Sequence, residues 1–474
     1  MSGTDVLASM RHLPDWLVAV TDPARVADAL AASVGDLEQG QYRVTRVIPS
    51  QVRLKDDGWR IWYEVTIASD DGSRTLRLVA AVLSPDAEDP EEPLSVGDVG
   101  SREWRCWLPE LRLALESEPP DGDLSALPLL TDPERSRGLL EACIAEQSPA
   151  YRAFRIRSCE PRVVRYSPGS RCTVAYRLGF HDADRWRCWP EVVVAKTYHR
   201  DKGRAAWDGM RAVWDTPLSS GGPVGVAEPL AFLPDIKVLV QGGVQEEKTL
   251  KGLISEACTA DDVTGPQVER VVRLAADGLA ALHGCGAVAA RTLTWDDEVA
   301  EARQVLRRLG SAVPPLLGVL DHLLEDFEAR ASASQADPVV PSHGTFRPAQ
   351  VLLGGGRASM IDFDGFCLAE PALDVALFRS SVRDIALSEL TDGFGRGPDD
   401  DALRRRADEA EVVCDSFVSQ YCSHRAVSCS RVMLFEALDL LTLVLHGWTK
   451  LRPTRLRHSV LLLEDHLRRL QETT

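Results

Sequence analysis

Between positions 343 and 374 the chain gathers side chains that can do chemistry: His343, Thr345, Arg347 and Gln350, then Asp362, Asp364 and Asp374. The residues between them read as a loop, a strand Val351 to Leu353, a turn at Gly354 to Gly356, a strand Ala358 to Phe363, a second loop and a helix. That layout puts three carboxylates at strand ends and loops, where they can converge. Each alone is as well read as a loop cap, but three acids this close beside buried strands repel one another unless a cation sits among them. Lys196 supplies a second candidate. It follows the apolar run Val192 to Ala195, and a cation at the end of a buried strand is held near a cleft; the bland reading is a solvated strand end. The turn Ser167-Pro168-Gly169-Ser170, followed by Arg171, is a third. Gly169 and Ser170 offer backbone N–H groups and a hydroxyl to an anion, and Arg171 offers a neutralising charge. As a plain β-turn it needs no function.

The elements that must position these residues alternate between strand and helix periods. Residues 1–40 read as helical, with Thr21-Asp22-Pro23 as cap and first turn before Arg25 to Val34. Period-two alternation from Tyr42 to Leu83 predicts an antiparallel meander of three or four strands, and 84–103 an acidic, proline-rich loop. The same order then recurs: Thr131-Asp132-Pro133 opens a helix, Pro161 stands where Pro49 stood, and Ala195 where Ala81 stood, at a slowly growing offset. Two β-meanders can look alike by chance, but matching landmarks ahead of both sets of strands favour a duplicated unit. The first copy has Val82 where the second has Lys196, so it keeps the pattern and loses the cation. Beyond the second copy come a helix Lys202 to Asp215, strands Val226 to Phe232 and Ile236 to Gln241, and a glycine joint at Gly242-Gly243. From Pro266 the pattern is helical, over Val268–His283, Asp296–Leu309, Leu316–Arg330, Glu370–Val382, Asp401–Gln420, Val432–Lys450 and His458–Leu470. Three parts follow in chain order: a degenerate N-lobe-like repeat at 1–115, an N-lobe at 116–245 and a helical C-lobe at 246–474.

A β-rich lobe with Ala195-Lys196 on its third strand, a joint, and a helical lobe carrying His343-Gly344, Gln350 and Ile361-Asp362-Phe363-Asp364 resembles the aminoglycoside phosphotransferase family over about 155–470. The resemblance implies an α+β, bilobal, protein-kinase-like fold preceded by a second, degenerate N-lobe-like unit. It implies ATP with Mg2+ as cofactor and transfer of the γ-phosphate to a hydroxyl. On that resemblance Lys196 contacts the α and β phosphates, and Gly169, Ser170 and Arg171 cover the nucleotide. Gln241 and Val244 bracket the hinge that faces adenine. Asp208 takes the place of a partner glutamate to Lys196, one methylene shorter. Asp362 is the metal-chelating aspartate, Gln350 stands for an asparagine metal ligand, Asp364 adds a water-mediated ligand, and Asp374 braces the catalytic loop, as His343 does. The catalytic loop departs from the family at its third position. Where the family has the aspartate that deprotonates the acceptor, this chain has Thr345. Threonine has no low-pKa form, and general-base catalysis contributes roughly 10²–10⁴-fold. Arg347 replaces a frequent histidine and offers a cation to the moving phosphoryl group or to an anionic substrate.

The rest of the composition sets bounds. A chain of 474 residues, 45% hydrophobic and 26% charged, has the composition of two or three folded domains. A net charge of -17 argues against nucleic acid and anionic membrane as partners, because phosphate is repelled from a like-charged surface. Eleven scattered cysteines without a CxxC pair support neither a zinc knuckle nor a redox dithiol and fit a reducing cytoplasm. No basic, then apolar, N-terminal segment occurs, and the most apolar stretch, Val432 to Leu445, carries Glu436 and Asp439 and reads as a buried helix. Two readings stand. One is a cytoplasmic phosphotransferase with an atypical loop, acting on a hydroxyl of a small metabolite or a peptide Ser/Thr, with acceptor recognition over 285–335 and 400–450. The other is a nucleotide-binding pseudokinase, a scaffold or regulatory partner that docks a protein through its N-terminal lobe.

Overall fold

The computed structural model describes residues 7, 10–34, 42–70, 72–89, 95–96, 101, 104–118, 124–184, 187–199, 202–244, 247–390 and 399–472. The start of the expected first helix, its end at 35–40 and much of the expected loop 84–103 lie outside them. Alternation builds the first sheet, of β1 (Arg43–Lys55), β2 (Gly58–Ser69), β3 (Gly72–Val82), β4 (Ser95–Val96), β5 (Arg105–Leu108) and β6 (Leu113–Ser117). Along β2, Trp59, Ile61, Tyr63, Val65 and Ile67 are buried while the residues between them are half-exposed, the period a half-buried strand imposes. The strands lie in the order β1-β2-β3-β6-β5-β4. The β5–β6 hairpin goes beyond the expected meander. Cys106, Leu108, Leu113 and Leu115 turn inward, an alternation interrupted in the sequence by the Pro109–Leu111 turn.

The second sheet holds β7 (Ser158–Ser167), β8 (Arg171–Gly179), β9 (Val192–Tyr198), β11 (Pro229–Leu233) and β12 (Val238–Gly242), with β10 (Val224–Val226) belonging elsewhere. Its order, β7-β8-β9-β12-β11, repeats the connectivity β1-β2-β3-β6-β5 of the first. Finer features repeat as well. Each sheet is preceded by a helix that begins with proline and is capped by an aspartate side chain, Asp22 on Pro23–Ser33 and Asp132 on Pro133–Gln147. The last hairpin of each sheet turns through one 3-10 turn into a left-handed residue, Arg112 at φ 52 and Lys237 at φ 53. Non-glycine residues seldom adopt that conformation, so its recurrence at equivalent turns marks a duplicated unit more sharply than strand count does. The second copy adds the helix Lys202–Trp214 after its third strand.

The remaining elements are mainly helical. The expected strand Val226 to Phe232 is two strands in two sheets: β11 joins β12, whereas β10 pairs in parallel with β16 (Arg357–Met360). With β13 (Lys248–Thr249) and β15 (Val351–Gly354) these form a four-stranded sheet, and β14 (Val340–Ser342) pairs with β17 (Cys367–Ala369). A helix Leu250–Thr259, capped by the Thr249 hydroxyl, stands where the sequence pattern raises no expectation. The helices Pro266–His283, Trp295–Ala312, Pro315–Ala333, Pro371–Ser388, Asp400–Cys422, Cys429–Thr449 and Pro453–Glu472 correspond to the expected ones, with ends that shift by a few residues.

Packing groups the chain differently from its order. One unit comprises Met1–Pro120, Glu298–Arg330 and Ala437–Thr474; the other comprises Asp121–Asp297 and Ala331–Glu436. Within the first unit the sheet binds helical segments from far along the chain. Trp59 Nε1 donates to the Trp448 carbonyl at 3.3 Å, Lys450 Nζ to the Val52 carbonyl at 3.2 Å, and Arg308 pairs with Asp56 at 2.9 Å. Only one described helix, Cys429–Thr449, is long and apolar enough to cross a membrane; 83% of its most apolar window is buried inside the protein, as a core helix would be.

Candidate active site

The second unit holds the reactive residues. On β9, Val193 and Ala195 face the core without exposure, which turns Lys196 to the opposite face, between Thr173 of β8 and Leu239 of β12. Its ammonium lies 2.5 Å from Asp362 Oδ1 and 3.6 Å from Asp364 Oδ1. Tyr198, two residues further along the same strand, donates its hydroxyl to Asp364 Oδ1 at 2.9 Å. The expected strand Ala358 to Phe363 ends early, at Met360. Asp362 turns into the left-handed region at φ 72 and ψ 50, followed by the one-turn 3-10 helix Phe363–Gly365. That turn brings both carboxylates to the lysine while Phe363 stays buried; aspartate tolerates the conformation better than most residues.

The two acids are pushed apart electrostatically. Burial raises the Asp362 carboxyl, but Lys196, with Arg171 and His343, more than offsets this and holds it down at about 2. Asp364 moves the other way: burial and the neighbouring Asp362 charge raise it against the pull of Lys196. Burial, then Asp364, also raises the Tyr198 hydroxyl, which stays protonated as a donor. Arg171 is half-buried beside the turn. Arg165 on β7 joins it near Asp362: partial burial and the Arg171 charge lower its pKa, and Asp362 raises it.

The loop that carries Thr345 is locked against the same turn. Gly344 sits at φ 75, and a Cβ there would lie 2.2 Å from the Gly365 carbonyl oxygen, so no side chain fits. Asp374, fully buried, accepts from the backbone N–H of His343 at 2.7 Å and of Phe346 at 3.3 Å, and from His283 Nε2 at 3.2 Å. His283 Nδ1 is 2.7 Å from the Tyr421 hydroxyl. His343 Nε2 lies 3.0 Å from the Ile361 carbonyl and Nδ1 3.2 Å from Thr345 Oγ1. Gln350 Oε1 accepts the Arg347 N–H at 2.8 Å, and its Nε2 donates to Thr345 Oγ1 at 3.2 Å.

The sequence-predicted residues therefore divide. Lys196, Asp362 and Asp364 come together, with Arg171 near enough for its charge to act on them. His343, Thr345 and Gln350 form one hydrogen-bonded chain. Asp208 does not join: it is exposed on Lys202–Trp214, and the acids on Lys196 are Asp362 and Asp364. That helix meets the site through glycine, a Cβ at Gly209 coming within 2.8 Å of Phe366. Arg347 is tied to Ser381 Oγ at 2.7 Å. Gly169, at φ 60, shapes the β7–β8 turn, but the Ser170 N–H is used inside that turn, on the Ser167 carbonyl at 3.0 Å. Gln241 is buried at the end of β12 with its Oε1 unpartnered, and Val244 lies half-buried just beyond. The sequence pattern does not single out Tyr198, Arg165 or His283. The period of two places Tyr198 on the face of Lys196; nothing in the local pattern marks the other two.

Asp362 and Asp364 fit a divalent cation, being two oxygen donors that already share one positive charge. Gln350 Oε1 is engaged by the Arg347 N–H at 2.8 Å, which leaves one lone pair of that oxygen for a further partner. Among the described residues no group of three or more His, Cys, Asp or Glu side chains is placed to hold a metal. The unpartnered Gln241 oxygen fits a nucleobase donor. A separate cavity of about 520 Å³ lies in the first unit, lined by Val319, Leu323, Glu464 and Leu467 among others; neither Lys196 nor the run from His343 to Asp374 lines it.

Residues 249–409 match the Phosphotransferase enzyme family, a stretch that contains the whole run from His343 to Asp374. No curated protein matches the chain. Among solved structures, a glucosamine kinase in complex with glucosamine, ADP and inorganic phosphate is similar at 17% identity over 91% of this chain and 96% of that chain, with a TM-score of 0.49. A choline kinase from Cryptosporidium parvum Iowa II is similar at 10% identity over 71% and 95%, with a TM-score of 0.46. An aminoglycoside phosphotransferase from Streptomyces rimosus is similar at 19% identity over 60% and 92%, with a TM-score of 0.36.

Proposed function

We propose that this chain, similar over residues 249–409 to the phosphotransferase enzyme family, is a cytoplasmic ATP-dependent phosphotransferase that acts on a hydroxyl of a small metabolite or of a peptide Ser/Thr. The observation that carries the reading is Lys196 held between Asp362 and Asp364 on a left-handed turn. Two acids and one lysine at the junction of a β-sheet and a catalytic loop suit a polyphosphate bound with a cation. Lys196 leaves Asp362 to grip the α and β phosphates, and Arg171 and Arg165 add charge on the β7–β8 side. Gln241 supplies a buried acceptor to the base. Asp362 and Asp364 would hold Mg2+, which when bound neutralises phosphate charge. His343, Gly344 and Asp374 keep the loop at a fixed distance from those acids. The parts 1–115, 116–245 and 246–474 are proposed as sequence modules.

Thr345, in the place of the family's aspartate base, favours a second reading: a nucleotide-binding pseudokinase that works as scaffold or regulatory partner in a biosynthetic complex. One experiment tests what the readings share. Mg-ATP is expected to raise the melting temperature, and Lys196→Ala or Asp362→Asn to remove the rise. No rise in the wild type sinks both. Turnover of ATP then separates the enzyme from the scaffold.

A further inference from the structure

Thr345 occupies the position of a general base that it cannot be by itself, yet its hydroxyl is oriented on two sides. The Ile361 carbonyl, 3.0 Å from His343 Nε2, can only accept, so Nε2 carries the imidazole hydrogen. Nδ1 is then the basic nitrogen, and it takes its hydrogen bond from Thr345 Oγ1 at 3.2 Å. Gln350 Nε2 donates to the same Oγ1 at 3.2 Å, its orientation fixed by the Arg347 N–H on Oε1. One lone pair of Oγ1 is left over, on a residue that is exposed although its histidine is fully buried. A base that is buried, with a hydroxyl between it and solvent, has the form of a proton relay.

We propose that Thr345 and His343 together replace the missing carboxylate: the acceptor hydroxyl gives its proton to Thr345 Oγ1 while Thr345 gives its own to His343 Nδ1. The acceptor oxygen forms a bond to the γ-phosphorus as the bond from phosphorus to the leaving diphosphate breaks, and the acceptor's proton is conserved as imidazolium. After release of the product the imidazolium gives the proton to solvent through Thr345. Two carboxylates lie close enough for the new charge to act on them, Asp374 beneath the loop and Asp362 across from it, and the rings of Phe346 and Phe363 close the other sides at 5.8 and 5.0 Å. Thr345 is the catalytic residue here; Gln350 positions it.

The relay rests on the phosphotransferase reading, so the test reads binding and turnover separately. The probe is Mg-ATP alone, with water as the acceptor hydroxyl. Thr345→Val keeps the shape and removes the hydroxyl; it is expected to lower ATP hydrolysis by about 10²-fold while leaving the Mg-ATP rise in melting temperature unchanged. Thr345→Ser restores hydrolysis to within a few-fold. In protein carrying 15N-histidine, the His343 resonances are expected to show Nε2 protonated and Nδ1 bare, with the Nδ1 signal moving in Thr345→Val. Equal hydrolysis by Thr345→Val and wild type, or a proton on Nδ1, overturns the relay. Wild type that binds Mg-ATP without hydrolysing it overturns the relay and leaves nucleotide binding standing. Wild type that does not bind Mg-ATP overturns the phosphotransferase reading, and the relay with it.

Discussion

At Lys196 three charged groups share one small space, and their balance sets what the site can hold. Asp362 stays ionised because the lysine outweighs its burial, whereas burial and the Asp362 charge push Asp364 toward its neutral form. A carboxyl depressed by folding contributes stability that is present above its unfolded value of about 4 and lost as pH falls through about 2. For Asp362, three-quarters buried, that contribution is about 2 kcal/mol. The gap in melting temperature between wild type and Asp362→Asn is therefore expected to narrow as pH is lowered from about 4 to about 2; a constant gap across that window means the lysine pair is not what depresses the group. Thr345→Asp places a carboxylate where the proposed relay has its hydroxyl, and ATP hydrolysis is expected to run at least as fast as in wild type. An inert Thr345→Asp beside an active wild type means the native hydroxyl, not a missing charge, is what the pocket accommodates. Lys196, Asp362 and His343 were legible from residue type and order. The tautomer of His343 was not, because it depends on a carbonyl eighteen positions away in sequence.

The elements that carry these residues are held by close backbone approaches more than by side-chain bulk. The loop after β14 and the turn after β16 meet at Gly344 and Gly365, where a methyl group on either would strike the other loop. Gly344→Ala puts a Cβ 2.2 Å from the Gly365 oxygen at a φ of 75 and is expected to cost at least about 2 kcal/mol, read as a lowered melting temperature together with a weakened Mg-ATP rise. A variant as stable as wild type would mean that the two loops are not in contact. Helix Lys202–Trp214 shows why one sequence expectation failed. Its inward face is made by Gly203, Ala206, Gly209 and Met210, so Asp208 faces out. A helix period predicts which residues share a face, but not which neighbour that face meets. Likewise the β5–β6 and β11–β12 hairpins each put their turn residue, Arg112 and Lys237, in the left-handed region. An arginine and a lysine give no hint of it, since neither is a residue that turns select.

Two packing units divide the molecule, and neither is continuous in the chain. The first unit draws its sheet from the N-terminus and its helices from 298–330 and 437–474, so removing residues 1–120 uncovers helix faces such as that of Trp448, which is 3% exposed. A chain starting at 121 is expected to aggregate, seen as loss of the monomer peak in size-exclusion chromatography; a soluble, cooperatively melting product would overturn the grouping. The sequence by itself determined the chemistry on offer and its order. The lysine strand, the His343 to Asp374 run and the repeated Asp-Pro helix starts are local patterns, and local patterns are written in neighbouring residues. Only the tertiary structure decided which charges meet. It paired Lys196 with Asp362, 166 positions away, instead of with Asp208, made Gln350 a cap on the Arg347 N–H, and gave Thr345 a histidine to donate to. The first is a contact between segments brought together by burying separate apolar faces, and no residue spacing encodes the distance between two such faces; the other two lie within one loop, whose backbone path sets their geometry.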